Sequence, residues 1–88
     1  VVKVPWTGSV ESFKLVTSAV PIPVLIAGGS GISFNETLDI VAQSIEAGGS
    51  GVCMGRQIFG SENPSSRVRA VKSIVHEGAN VEEALTFL

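Results

Sequence analysis

Two short apolar segments of the chain end in glycines, and a helix-like segment lies between them. The first, residues 23–27, continues into Gly28-Gly29-Ser30-Gly31. The second, residues 51–54, continues into Gly55-Arg56. Because glycine has no side chain, backbone N–H groups at such positions can come close to an anion. Continuous apolar strands are typical of parallel sheets that are covered on both faces. The pattern therefore predicts an α/β fold with an anion-binding edge.

The other segments complete an alternation of strands and helices. A strand at residues 1–4 precedes a helix at 10–18, and further helices follow the second and third strands. Strands that alternate with helices of this length indicate right-handed crossovers and a parallel sheet. In a (β/α)8 barrel, the loops after the last two strands form a phosphate-binding site. Three strands alone cannot close such a barrel.

Local signals predict where the helices begin and end. Ser33 with Glu36 fits a capping box, and Asn63 followed by proline fits the start of another helix. Glycines at 48 and 78 fit helix C-termini, and Asn80 with Glu83 fits the start of a last short helix. The spacing of three valines predicts the buried stripe of the helix after Asn63: Val68, Val71 and Val75.

Lys3 lies between valines near the end of the first strand. In a barrel its side chain can point inward, toward the mouth that the glycine loops surround. A partly desolvated amine loses its proton more readily and can attack a carbonyl to form a Schiff base. The alternative is a strand lysine whose ammonium reaches solvent, which is the commoner arrangement when position alone is considered.

The two glycine loops have both functional and structural interpretations. Gly28 to Gly31 can bind phosphate or form only a tight turn, and the segment is not a dinucleotide fingerprint because Phe34 stands where a third glycine is required. Arg56 can offer a planar fork to phosphate oxygens or make a structural salt bridge. Two strands that end in glycines, with an arginine at the same edge, favour the interpretation as a phosphate-binding site.

Three further residues, Cys53, Trp6 and His76, are of types that often occur in functional sites, but each is also explained without a function. Cys53 has no adjacent histidine, so we expect it to pack in the wall of the sheet. Trp6 can line the mouth beside Lys3 or pack under the following helix. His76 is expected at the surface near the end of a helix.

Composition narrows the class of protein. Hydrophobic residues make up 44% of the 88 residues, and the net charge is −2 with scattered basic residues, so nucleic-acid binding is not expected. No apolar run is long enough to span a bilayer. A single cysteine allows no disulfide framework, which favours a cytoplasmic setting. The chain opens on a strand without methionine and ends on apolar residues, so we expect it to be a piece of a longer protein.

Four ordered blocks resemble the class I aldolases of the DhnA type, which include archaeal-type fructose-1,6-bisphosphate aldolase, aminodideoxy-heptulosonate synthase and the autoinducer-2 phosphate thiolase. The blocks are VVKVPWTG at 1–8, PVLIAGG at 23–29, GVCMGRQIF at 51–59 and VHEGANVEEAL at 75–85. The resemblance implies a TIM (β/α)8 barrel, of which residues 1–88 would form the last three β/α units, strands six to eight, within one domain. It also implies homo-oligomers that need neither metal nor cofactor.

The resemblance places Lys3 at the Schiff-base position and Gly28, Gly29, Gly55 and Arg56 at phosphate-binding positions. Ser30 and Gly31 stand where the family often has Pro-Lys or Lys-Lys. The family's general acid/base tyrosine lies upstream of this segment, and the chain has no tyrosine, so we expect these residues to be inactive alone.

The expected function is that of a lyase of glycolysis or gluconeogenesis, cleaving or forming fructose-1,6-bisphosphate through a Schiff base. The alternatives are another member of the family, or a barrel segment that binds a phosphorylated sugar without catalysis.

Overall fold

The computed structural model describes residues 1–28 and 32–88. The strands within these ranges are β1 (Val2–Val4), β2 (Val24–Ala27) and β3 (Gly51–Cys53). The helices are α1 (Val10–Ala19), α2 (Phe34–Glu46), α3 (Arg56–Phe59), α4 (Pro64–Glu77) and α5 (Val81–Leu85). Among the helices of these ranges, none is long and apolar enough to cross a membrane.

The three strands form one parallel sheet in the order β1-β2-β3. Lys3 pairs with Leu25, and Leu25 pairs with Gly51, so these positions share one face of the sheet. Because all the strands run in the same direction, their carboxyl ends lie at one edge. The predicted parallel α/β arrangement is therefore confirmed, and it is the arrangement expected of part of a barrel.

Helix α1 covers the other face of the sheet. Phe13 is fully buried in a cluster with Val24 and Ile26. The ring of Trp6 lies 5.3 Å from that of Phe13, with an interplanar angle of 37°. Trp6 therefore packs under the helix that follows it, which is one of the two positions considered for this residue. Burial of these apolar side chains contributes roughly 25 cal/mol for each Å² removed from water.

A second apolar cluster joins α2 to α4 and α5. Its centre includes Leu38 and Val41 of α2, Ala70 and Ile74 of α4, and Ala84 of α5. The predicted valine stripe of α4 is confirmed for Val71 and Val75, which pack in or against this cluster, and is wrong for Val68. Val71 is buried, but Val68 is 50% exposed and Val75 only partly buried. The face of α4 that meets α2 is instead the one with Ala70, Ser73 and Ile74, because small side chains there allow the helices to approach.

The predicted helix ends are confirmed. Ser33 accepts a hydrogen bond from the backbone of Glu36 at 3.1 Å, and Asn80 forms a capping box with Glu83. Asn63 caps α4, which ends at a glycine with a φ of +70°. After α2, Gly48 has a φ of +94°, a conformation that side chains rarely adopt, so the glycine is needed for this turn.

Within the described residues the two faces of the sheet are covered unequally. Val24 and Ile26 are buried, but Lys3 and Cys53, on the opposite face, are exposed. The reason is that α1 and α2 both pack on the side of Val24 and Ile26. On the other side, the described segments bring Val75 of α4 near Gly51 but leave Lys3 and Cys53 open.

An apolar cavity of about 770 Å³ lies between β3 and α4. Leu25 and Val52 contribute from the sheet, and Val71 contributes from α4. At its border, Phe59 is 79% exposed and Val68 is 50% exposed. Exposed apolar patches beside a strand edge favour association with other chains.

We predict that the 88-residue chain on its own self-associates through this apolar cavity. Sedimentation velocity should show species larger than a monomer, and replacing both Phe59 and Val68 with serine should shift the distribution toward the monomer. Leu15→Ser is the matched control, because Leu15 is 73% exposed on α1 and does not line the cavity. A monomeric wild-type chain with a cooperative melt would contradict the prediction.

Candidate functional site

A cleft of about 480 Å³ lies at the edge of the sheet where β2 and β3 end. The residues that line it come from β1, from β3 and from the segments that follow β2 and β3: Lys3, Gly28, Cys53, Met54, Gly55, Arg56 and Gln57. Four of the residues predicted from the sequence, Lys3, Gly28, Gly55 and Arg56, are therefore brought together. The other three, Gly29, Ser30 and Gly31, lie outside the described residues.

Lys3 reaches the cleft from the face of the sheet opposite α1. Its neighbours Val2 and Val4 pack toward the apolar cluster of α1, so the alternation of the strand turns the lysine away from that cluster. The side chain is exposed, so of the two arrangements considered for Lys3 the described residues have the one in which the ammonium reaches solvent. The amine thus lies at the mouth of the cleft with access to solvent.

Gly28 directly follows β2 and lies close against the end of β3 and Met54. Its backbone N–H donates to the carbonyl oxygen of Cys53 at 3.3 Å, which extends the parallel ladder by one bond beyond β2. A Cβ atom at position 28 would lie 2.6 Å from the Cβ of Met54, closer than real Cβ atoms approach. Glycine is therefore required here by the packing of the strands, whatever the segment binds.

Gly55 and Arg56 form the opposite wall of the cleft. A Cβ atom at position 55 would meet no heavy atom within 4 Å, so this wall is open on the side of Gly55. Arg56 begins α3, and its side chain is exposed. A guanidinium at the rim of a cleft that contains a lysine makes the local surface cationic, which suits an anionic group.

Cys53 does not pack in the wall of the sheet, contrary to the prediction. It is a free and exposed thiol that lines the cleft. The register explains the difference. Cys53 pairs with Ala27, two residues after the pair of Leu25 with Gly51, so it shares the uncovered face with Lys3.

Gln57 is a cleft residue that the sequence analysis missed. Its side-chain Nε2 donates to the backbone oxygen of Ile32 at 3.2 Å, and its own backbone oxygen accepts from Arg67 Nη1 at 2.6 Å. The first bond spans 25 residues of sequence, so no local pattern could have indicated it.

The groups of the cleft define what it can do chemically. Its described lining offers one primary amine, one guanidinium, one thiol and one carboxamide, and none of these described residues has a carboxylate. Over residues 1–28 and 32–88, no group of three or more His, Cys, Asp or Glu side chains could hold a metal ion. An amine with a nearby cation suits a substrate that has both a carbonyl and a negative charge.

The comparisons with known proteins agree on one family. The family description "DeoC/LacD family aldolase" matches residues 1–61. Among curated proteins, the 3-hydroxy-5-phosphonooxypentane-2,4-dione thiolase of Klebsiella pneumoniae is 44% identical over 77 residues, which is 88% of this chain and 26% of that protein. The 2-amino-3,7-dideoxy-D-threo-hept-6-ulosonate synthase of Halobacterium salinarum is 39% identical over 85 residues, or 97% of this chain and 32% of that protein.

The chain thus spans about a quarter to a third of the length of these curated relatives. They match two of the activities that the resemblance named, the thiolase and the heptulosonate synthase, and do not specifically support the fructose-bisphosphate type. The family match covers the strand with Lys3 and both glycine-ended strands, which are the segments that form the cleft. The chain belongs to the DeoC/LacD family of aldolases.

Proposed function

We propose that the chain supplies the imine-forming and phosphate-binding part of a class I aldolase-type enzyme that acts on a phosphorylated ketone. The observation that supports this most directly is the common cleft of Lys3 and Arg56. In this proposal the chain corresponds to the last three β/α units of a (β/α)8 barrel, and further units complete the site. The assembly would be a homo-oligomer.

Lys3 would act as the nucleophile. Its neutral amine adds to the ketone carbon, and loss of water gives a protonated imine. The imine withdraws electrons from the bond between the α and β carbons of the substrate. When a base from the further barrel units takes the proton of the β-hydroxyl group, that bond breaks, an aldehyde leaves and an enamine remains on the lysine. The amine at the mouth of the cleft, on the uncovered face of the sheet, can be reached by a substrate from solvent.

Arg56 would hold the phosphate, together with backbone N–H groups near Gly28 and Gly55. The predicted contributions of Gly29, Ser30 and Gly31 belong to the same proposal. A guanidinium forms two parallel hydrogen bonds with phosphate oxygens, which fixes the orientation of the group as well as its position. Anchoring this remote group holds the carbonyl near the amine and so favours the reaction through proximity.

The substrate class follows from the relatives rather than from the cleft. The names of the Klebsiella and Halobacterium proteins both contain a ketone, as a dione and as an ulosonate, and the first also contains a phosphate ester. We therefore propose a linear phosphorylated ketone. Fructose-1,6-bisphosphate, the substrate first predicted, is a member of this class and should be assayed alongside the substrates that the relatives' names give.

Binding without catalysis is the second candidate function. Lys3 is exposed, and an exposed strand lysine is the arrangement expected of a residue without a catalytic role. A segment that binds phosphate through Arg56 while Lys3 remains solvated would have the same cleft. Chemical trapping separates the two candidates.

We predict that sodium borohydride with dihydroxyacetone phosphate modifies Lys3. Reduction of the imine gives a stable secondary amine, so mass spectrometry should locate one adduct on the peptide that contains Lys3. A chimaera in which this chain replaces the matching segment of the Klebsiella thiolase should be tested beside the chain itself, because it supplies the rest of a barrel.

Lys14 is the matched control for this experiment, since it is exposed on α1 and does not line the cleft. Lys14→Met should leave the adduct unchanged, and Lys3→Met should abolish it. An equal yield at both lysines would indicate nonspecific reduction and would refute the catalytic role of Lys3. Phosphate binding without any adduct would support the second candidate.

We also predict that Arg56→Lys weakens the binding of inorganic phosphate by about tenfold, because lysine keeps the charge but loses the planar pair of donors. Isothermal titration calorimetry measures the affinity. Arg69→Lys is the control, since Arg69 is exposed on α4 and does not line the cleft. Equal losses in the two variants would show that overall charge, and not the fork of Arg56, governs binding.

A further inference from the structure

We propose that Arg67 of α4 is a positioning residue for phosphate binding, because it fixes the one-turn helix α3 and, through that helix, the guanidinium of Arg56. Arg67 is not among the described residues that line the cleft. Its effect on phosphate rests on the proposed function, which makes Arg56 the phosphate-binding group. Its hold on α3 is a matter of the fold and can be tested separately.

Helix α3 contains little that defines its own orientation. It comprises a single turn, Arg56–Phe59, and lies between Gly55 and Gly60. A helix of this length is unstable by itself, and a glycine on either side leaves the backbone more freedom than another residue would. Among the described residues, no side chain caps its N-terminus. Contacts with other elements must therefore orient α3, and Arg56 with it.

Apolar and polar contacts attach α3 to the rest of the chain. Ile58 is buried in the cluster of α2, α4 and α5. Because apolar burial has no preferred direction, it holds the helix against the core without fixing its rotation. The backbone oxygen of Gln57 accepts a hydrogen bond from Nη1 of Arg67 at 2.6 Å, and the Gln57 side chain bonds the backbone of Ile32. The bond from Arg67 adds the direction that Ile58 does not supply.

The bond from Arg67 is made where the helix ends. In a longer α-helix the carbonyl oxygen of Gln57 would accept from the N–H of Ser61. That N–H donates instead to the carbonyl oxygen of Ile58, at 3.3 Å. The guanidinium of Arg67 takes the position of a donor from the next turn, and a hydrogen bond from a charged group is stronger than one between neutral groups.

Arg67 is itself held by the core. Its guanidinium carbon lies 4.3 Å from the centre of the ring of Phe34, which is buried among α2, α4 and α5. A planar guanidinium can stack on a ring and donate a hydrogen bond in its own plane at the same time. Arg67 is the fourth residue of α4, and a cation near a helix N-terminus gains nothing from the helix dipole. The contacts with Phe34 and Gln57 therefore account for an arginine at this position better than the stability of α4 does.

The orientation of α3 matters because Arg56 is its first residue. The backbone at that point sets the direction in which the guanidinium leaves the helix. A pair of parallel hydrogen bonds to a phosphate depends on this direction more than a single charge contact does. If α3 turned freely, each binding event would also have to order it, which lowers the affinity. Arg67 would thus affect the phosphate group and not the amine of Lys3, which lies on β1.

The test uses the chimaera with the Klebsiella thiolase, which supplies the further barrel units, and borohydride trapping at Lys3. Two ketones are compared, dihydroxyacetone phosphate and dihydroxyacetone, which lacks the phosphate. In Arg67→Met, which removes the hydrogen-bond donors, the half-saturating concentration should rise about fivefold for the first ketone and stay within about twofold for the second. Partial unfolding lowers the yield of adduct with both ketones alike and leaves the ratio of these concentrations unchanged.

Two variants separate position from charge. Arg69→Met is the matched control, since Arg69 is an exposed arginine of the same helix and does not line the cleft, and it should change neither concentration. Arg67→Lys keeps the charge but loses the planar group, so we expect a rise of about twofold to threefold for the phosphorylated ketone only. An equal rise in Arg67→Met and Arg69→Met would show that charge on α4 is the cause, and would overturn the proposal.

A double-mutant cycle asks whether Arg67 acts through Arg56. Once Arg56→Met has removed the guanidinium, Arg67→Met should raise the half-saturating concentration of dihydroxyacetone phosphate by less than about twofold more. If the two effects multiply, Arg67 does not act through Arg56. An unchanged concentration in Arg67→Met, or an equal rise for both ketones, is likewise incompatible with the positioning role.

Hydrogen exchange in the same chimaera distinguishes failure of this inference from failure of the proposed function. Arg67→Met should make exchange about tenfold faster in peptides that cover residues 55–61, with no change in peptides from α1. Unchanged exchange at residues 55–61 would refute the hold on α3. If the unsubstituted chimaera forms no adduct, or if Arg56→Met binds both ketones as before, the proposed function fails, and hydrogen exchange alone decides whether Arg67 fixes α3.

Discussion

The parallel pairing of three short strands is the constraint on which the rest of the structure depends. Parallel strands place their carboxyl ends at one edge, and their register decides which side chains share a face. Here the pairs Lys3 with Leu25 and Ala27 with Cys53 put an amine and a thiol on the same uncovered face. A shift of register by one residue would turn Lys3 into the apolar cluster of α1 and remove the cleft.

Glycine has two separate uses at this edge. At position 28 glycine is needed for packing, because the Cβ atom of any other residue would clash with the Cβ of Met54. At position 55 no neighbour requires it, since a Cβ atom there would meet nothing within 4 Å. The open side of Gly55 therefore leaves room that a ligand can use, whereas Gly28 mainly brings the two strands together. The sequence motif alone does not distinguish these uses.

The sequence predicted the features that depend on residues close to one another in the chain. Helix ends at Ser33, Asn63 and Asn80 follow from hydrogen bonds that span three residues, and the structure has all of them. The exposure of Cys53 and the role of Gln57 depend on what the fold places beside them, which no local pattern records. The four described residues of the predicted site lie at one edge because strand direction, a global property, follows from the simple alternation of strands and helices.

The two halves of the proposed site are physically independent. In the proposed function, imine formation depends on Lys3 reaching a carbonyl, and both relatives' names contain a ketone. Phosphate binding depends in the same proposal on Arg56, and of these two names only that of the thiolase contains a phosphate ester. A member of the family could therefore keep the lysine while its anion site adapts to another charged group.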